Sequence, residues 1–170
     1  MSEFRQITPE EFKGNPFTMI GSDCMLICAR KKDGSVNAMT AAWGGLGVMW
    51  GLNVAYAVIR PQRFTKEFVD GSDGFSLTFF EKGNERMMSY MGSVSGRDED
   101  KIKNKGLIVL QDGNIPYFEQ AKTVLICKKL YAQDMKADCF IVHEPDEKWY
   151  PAKDYHTLYI AEIKKILVKK

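Results

Sequence analysis

No charged residue occurs between Asp33 and Arg60, and the run from Ser35 to Ile59 is long enough to raise a membrane-spanning helix, which needs about 20 predominantly apolar residues. Gly44, Gly45, Gly47 and Gly51, with Ser35, Asn37, Thr40 and Asn53, argue against that placement. Amides and hydroxyls stripped of water in lipid cost several kcal/mol each unless they find partners. Buried strands and glycine-bearing loops of a soluble fold accommodate the same residues readily, and no membrane partner is expected.

The chain has 170 residues, 45% of them hydrophobic, enough for one domain over residues 1–170 with a core of its own. Its 24 Lys and Arg nearly cancel 22 Asp and Glu, leaving a formal charge of +2. So small an excess gives no long-range field to favour nucleic acid, and any anion must be recognised locally. The opening Met1-Ser2-Glu3-Phe4-Arg5 lacks the apolar core of a secretory signal, so a cytoplasmic location is expected. Cys24, Cys28, Cys127 and Cys139 form no Cys-x-x-Cys pair and no metal-ligand spacing. Reduced, mostly buried thiols are expected, with Cys24 and Cys28 on one face if their segment is a strand.

Thr8-Pro9-Glu10-Glu11 carries a capping box and a proline at the first helical position, predicting one short helical turn. Thr18 to Ala29 reads as a strand, 31–35 as a hairpin turn with glycine at Gly34, and Val36 to Trp43 as the returning strand. A glycine-rich loop follows, then a nearly all-apolar strand from Val54 to Ile59 that Pro61 stops. Arg63 to Val69 and Glu85 to Met91 have helical spacing, Phe75 to Phe79 alternates as a strand, and Arg97 to Lys103 reads as a charged, solvated helical face. Met87, Met88 and Met91 are expected to fill a core or a dimer contact. Thr123 to Gln133, Cys139 to His143 and Tyr155 to Leu167 complete six or seven strands with two or three short helices, the pattern of an antiparallel barrel.

Two segments carry the chemistry. Arg60-Pro61-Gln62-Arg63-Phe64-Thr65 packs two guanidiniums and a hydroxyl into one corner, a clamp for an oxyanion such as phosphate. Met39-Thr40-Ala41-Ala42-Trp43 offers small residues, a hydroxyl and an indole to a flat polar ring. Together they point to a ligand with an aromatic head and a phosphorylated tail. Each residue also has a structural reading: Arg60 and Arg63 as partners of Glu67 or Asp70, Trp43 and Trp50 as packing aromatics, His156 as a satisfied core side chain, and Lys101 paired with Asp98 or Asp100 at the surface.

The order of segments carries a further signal. Asn37-x-Met39-Thr40-Ala41-Ala42-Trp43-Gly44, Arg60-Pro61-x-Arg63-Phe64-Thr65, Phe75 to Phe80, Ser93-x-Ser95-Gly96-Arg97-Asp98-x-Asp100-Lys101 and His156-Thr157-Leu158-Tyr159-Ile160-x-Glu162-Ile163 resemble, in this order, the flavin reductase-like family, and within it the flavoredoxin branch. The resemblance implies a mainly β fold with short α insertions, an antiparallel, Greek-key split β-barrel that binds FMN, as a homodimer with the flavin near the subunit interface. It implies that Met39, Thr40, Ala41, Ala42 and Trp43 line the isoalloxazine, that Arg60, Arg63, Phe64 and Thr65 hold the ribityl phosphate, and that Ser95, Gly96 and Lys101 approach from a nearby loop. It places His156 as the catalytic histidine, beside flavin and an NAD(P)H donor. The residue before it is Tyr155, where many flavin reductases have an acid. Gly44-Gly45-x-Gly47 precedes no helical pattern, which excludes a Rossmann domain but not a reductase of this kind. Two alternatives stand beside the NAD(P)H-dependent oxidoreductase: a non-catalytic FMN electron carrier served by a redox protein partner, and a barrel without FMN acting as an interaction module.

Overall fold

The computed structural model describes residues 3–170; Met1 and Ser2, which open the segment read for a secretory signal, lie outside them. Ten strands form, β1 (Phe4–Ile7), β2 (Met25–Arg30), β3 (Val36–Ala41), β4 (Gly44–Met49), β5 (Leu52–Ile59), β6 (Gly74–Phe79), β7 (Val109–Asp112), β8 (Ile115–Phe118), β9 (Thr123–Asp134) and β10 (Thr157–Lys169). Between them lie α1 (Pro16–Gly21), α2 (Phe64–Asp70), α3 (Glu85–Ser93), α4 (Lys101–Asn104) and α5 (Glu144–Trp149), with 3-10 turns at Pro9–Glu11 and Ala137–Cys139. Eight strands make one sheet in the order β3-β2-β6-β9-β10-β5-β4, with β1 added to β10, while β7 and β8 form a separate hairpin. Every pairing is antiparallel. Among the described residues no helix is long and apolar enough to cross a membrane.

The uncharged run becomes β3, β4 and β5, as strands rather than a helix. The expected glycine loop is itself a strand: β4 pairs with β5 from Gly44↔Ala57 to Met49↔Leu52, closed by Trp50 and Gly51 at positive φ, 53° and 71°. Gly44 tolerates no side chain, since its φ is 150° and a Cβ there would lie 2.4 Å from the Tyr56 carbonyl oxygen. A Cβ at Gly45 or Gly47 would meet the Tyr56 ring at ordinary contact distance, 3.6 and 3.5 Å.

Alternate residues of β5 divide between two surroundings. Ala55, Ala57 and Ile59 enter the main core with Met25, Ile27, Phe75, Leu77, Leu125 and Tyr159. Val58, on the other face, opens on the cavity described below. Strand β2 is buried on both faces, because Leu26 and Cys28 pack beneath α3 with Met88 and Met91. That placement makes the methionines core residues and holds α3 against β3.

Other expectations need correction. Thr18 to Gly21 is helical, since Asn15 caps α1 through its Oδ1 and Pro16 supplies the first helical residue. Cys24 then turns at φ 64°, outside β2, so its parity with Cys28 does not hold. The stretch from Cys139 to His143 forms no strand; a 3-10 turn and α5 occupy the region. Of Arg97 to Lys103 only Lys101 onward is helical, and Lys101 is buried at 3% exposure rather than solvated. The Thr8–Glu11 capping box forms with both reciprocal bonds, and Gly34 has a φ of 89°.

Candidate functional site

Strand register assembles the site. The pair Thr157↔Ile59 sets His156 beside Arg60, and Gly44↔Ala57 sets Trp43 opposite Val58. The ends of β3 and β5, the start of α2 and the start of β10 thus meet around a concave cavity of about 230 Å³. Met39, Thr40, Ala41, Ala42, Trp43, Val58, Arg60, Arg63, Trp149 and His156 line it. Eight of these are the residues singled out in the sequence; Trp149 and Val58 are additional. A larger cavity, about 740 Å³, opens at the other end of the barrel between β1, the end of β6 and the end of β10, away from all of them.

The remaining sequence candidates sit one layer behind the lining. Thr65 is 1% exposed, and its Oγ1 accepts a bond from Asn37 Nδ2 at 3.0 Å. Gly96 packs onto the same asparagine so closely that a Cβ would lie 2.4 Å from Asn37 Oδ1. Ser95 Oγ accepts from the Arg97 backbone amide at 3.2 Å, shaping the turn before α4. Phe64 stacks edge-on against Phe68, ring centroids 5.0 Å apart, beneath the Arg97 guanidinium at 4.6 Å. These residues fix α2, β3 and the turn before α4 relative to one another.

The two arginines of the corner differ in charge balance. Arg60 Nη1 donates to Asp154 Oδ2 at 2.6 Å, and Nη2 to the Trp149 carbonyl at 2.7 Å. Gln62 Nε2 shares the same carboxylate oxygen at 2.7 Å. Arg63 instead donates to the Gly92 carbonyl at 2.7 Å, and Lys101 Nζ to the carbonyls of Met91 and Val94 at 2.9 and 3.0 Å. Among the described residues neither Arg63 nor Lys101 has a carboxylate partner within ion-pair distance. Burial lowers the Arg63 pKa from its usual value and brings Lys101 down to about 8, with the charge of Arg63 adding to the Lys101 shift. Two neighbouring cations are therefore held by the carbonyls at the end of α3, where the helix dipole favours positive charge.

Thr40 Oγ1 donates to the Met88 carbonyl at 2.6 Å, which spends the hydroxyl proton on α3 and leaves the oxygen able only to accept. His156 is 7% exposed and its Nδ1 lies 2.8 Å from the Tyr150 hydroxyl. Burial first, and Arg60 second, lower its pKa to about 4 despite an opposing effect of Asp154. The ring is neutral at pH 7. Trp43 lies 5.0 Å from His156 and 5.0 Å from Trp149, edge-on to the latter at 86°.

Trp149 and Tyr150, the last residue of α5 and its C-cap, were not found from the sequence because no element was read between His143 and Tyr155. The Glu144-Pro145 start of that helix, with acids in its first turn, was the available signal.

No protein-family model matches the chain, and neither does any curated protein sequence. Solved structures do. An FMN-binding domain of a flavin reductases-like enzyme from Shewanella baltica superposes with a TM-score of 0.69 at 16% identity, over 98% of this chain and 77% of that one. Flavoredoxin of Desulfovibrio vulgaris gives 0.69 at 18% identity, over 98% and 78%. An FMN-binding protein from Thermus thermophilus, solved with p-hydroxybenzaldehyde bound, gives 0.68 at 19%, over 96% and 78%. The chain has the antiparallel split-barrel fold of these proteins, which is the fold that the motif order implied.

Proposed function

We propose that this chain is a single-domain FMN-binding oxidoreductase of the flavin reductase and flavoredoxin type, in which Arg63 and Lys101 supply the positive charge for the phosphate and the 39–43 ribbon supports the ring. The observation that carries this reading is the pair of cations without carboxylate partners beside a cavity lined by small and aromatic residues. A desolvated cation without a counter-ion is costly, and a bound dianionic phosphate would offset that cost through charge-assisted bonds. Arg63 lines the cavity and can meet an anion directly. Lys101 has two of its three protons committed to carbonyls and lends charge from behind. Thr65, Gly96, Ser95 and Phe64 would then hold the corner in shape.

FMN, when bound, supplies the ring that accepts and releases electrons. The chain's own residues contribute placement: Ala41 and Ala42 permit close approach, Trp43 walls one side, and His156 presents a neutral ring. NAD(P)H is the donor in the leading reading. The neutral His156, bonded to Tyr150 and without an acid neighbour in sequence, favours a second reading in which the bound cofactor relays electrons to a redox protein and His156 moves no proton at neutral pH. A homodimer in the cytoplasm completes the proposal.

Titration of the purified protein with FMN, followed by quenching of flavin fluorescence, tests the reading; saturable one-to-one binding is expected, and no binding at high micromolar FMN would overturn it. Arg63→Ala is expected to weaken binding by about 1.5–3 kcal/mol, the scale of a hydrogen bond to a charged group. Steady-state oxidation of NADH or NADPH then separates the reductase from the carrier.

A further inference from the structure

Arg60 was read as half of an oxyanion clamp, yet both of its outer nitrogens are committed to the connection between β9 and β10. Nη1 meets Asp154 and Nη2 meets the backbone carbonyl of Trp149. The guanidinium also lies over the Tyr150 ring, 5.1 Å from its centroid. Tyr150 in turn is buried and bonded to His156. Residues 149, 150 and 154 are thus pinned to one arginine and to the first residues of β10.

The pinning leaves one large side chain outside the core. Trp149, the last residue of α5, is 44% exposed and stands edge-on to Trp43 at the mouth of the cavity. The cavity it borders, about 230 Å³, is smaller than the roughly 300–1,000 Å³ usual for ligand pockets. A ring entering it must either move Trp149 or lie partly against it. The other oxygen of the Asp154 carboxylate, Oδ1, makes no hydrogen bond to another side chain, so the latch on the connection runs through Oδ2.

Resting on the FMN reading, we propose that Trp149 is the specificity-determining wall for the molecule that exchanges electrons with the bound ring, and that Arg60 and Asp154 are positioning residues that hold it there. An indole edge-on to a second indole leaves a π-face for a flat conjugated partner, such as a nicotinamide or a quinone, and offers nothing to a compact inorganic ion. Arg60 acts through Trp149 and carries no phosphate.

The test compares wild type with Trp149→Ala, Trp149→Phe and Asp154→Asn. Amide exchange of residues 144–155 is measured first, without FMN. Asp154→Asn is expected to speed exchange there about tenfold while leaving β5 unchanged; identical exchange in variant and wild type would overturn the latch whether or not FMN binds. FMN-loaded protein is then photoreduced anaerobically and mixed with menadione, which takes two electrons and two protons to the hydroquinone, or with ferricyanide, of which two ions each take one electron. Trp149→Ala should slow the menadione reaction about tenfold, Trp149→Phe should restore most of it, and ferricyanide should respond to neither. Equal changes with both acceptors, or none, would overturn the role of Trp149. Failure of wild type to bind FMN in the preliminary titration would overturn both the functional reading and the assignment of this wall.

Discussion

Arg60 and Arg63 stand three positions apart and have opposite electrostatic situations. Arg60 is neutralised by Asp154, whereas Arg63 shares its surroundings with Lys101 and no carboxylate. Sequence proximity gave them one role; contact geometry separates them. The Lys101 pKa of about 8 makes this separation measurable. If FMN is the ligand, its phosphate favours protonated Lys101, so from about pH 6.5, where the phosphate is already largely dianionic, affinity should hold and then decline as the pH rises through about 8. Isothermal titration between pH 6.5 and 9.5 should show this decline, and Lys101→Met should weaken binding at pH 7 while flattening the profile. An equally steep decline in Lys101→Met would assign it elsewhere. The same reasoning runs in the other direction for His156, whose folded pKa of about 4 lies below its usual value near 6.5. The unfolded chain binds the proton more readily between these values, so His156 contributes stability that grows as pH rises from 4 to 6.5 and is lost below 4. Its ring carbon-bound protons, followed by NMR, should show no titration between pH 5.5 and 8. A midpoint near 6.5 would mean that the imidazole is not held neutral by burial.

At the scale of elements, the β4–β5 hairpin carries the strictest steric demand. Adding a methyl at Gly44 places it 2.4 Å from the Tyr56 carbonyl oxygen, at a φ of 150° that L-residues rarely adopt. Backbone cannot yield there without parting the ladder that sets Trp43 opposite Val58. Gly44→Ala is expected to cost about 2–3 kcal/mol and to lower the melting temperature by roughly 5–10 °C, read by circular dichroism. A melting curve like that of wild type would show that the hairpin relaxes. This element also marks the boundary of what the sequence reveals. Strands β3 and β5 and helix α2 were legible because hydrophobic runs and Pro61 speak locally, and the lining residues Met39 to Trp43, Arg60, Arg63 and His156 were legible because their order resembles a known family. Strand β4 was hidden because its glycines read as a loop, and the close approach of Gly44 to the Tyr56 carbonyl is visible only once the strands are paired. The β7–β8 hairpin around Gly113 and helix α5 were missed for a related reason: each is short, and within α5 only Asp146 is out of reach of solvent. Without α5 the site lacked Trp149, and without the β9–β10 connection Arg60 had no visible partner.

The whole molecule exposes apolar side chains where strand edges meet solvent. Val48, Trp50 and Leu52 from the β4–β5 hairpin and Leu130 and Tyr131 from β9 are 72%, 58%, 36%, 39% and 42% exposed, and Trp50 contacts Tyr131 at 6.5 Å between ring centroids. Strand β4 ends the sheet, so its outer edge offers unpaired backbone groups beside those side chains. A long apolar edge invites another chain, and natural folds cover such edges or charge them. The hairpin carries no charge, since no charged residue lies between Asp33 and Arg60. If the chain forms the homodimer that the family resemblance implies, this exposed hairpin is the surface we expect in its contact. Sedimentation should then give a dimer at micromolar concentration, and Val48→Asp with Trp50→Ser should give a monomer with a native far-ultraviolet spectrum. The hairpin is continuous through Gly44 with Trp43, so the monomeric variant should also bind FMN more weakly than wild type. Monomers in wild type would remove the hairpin from any self-contact, and a monomeric variant with undiminished FMN affinity would show that each barrel completes its own site.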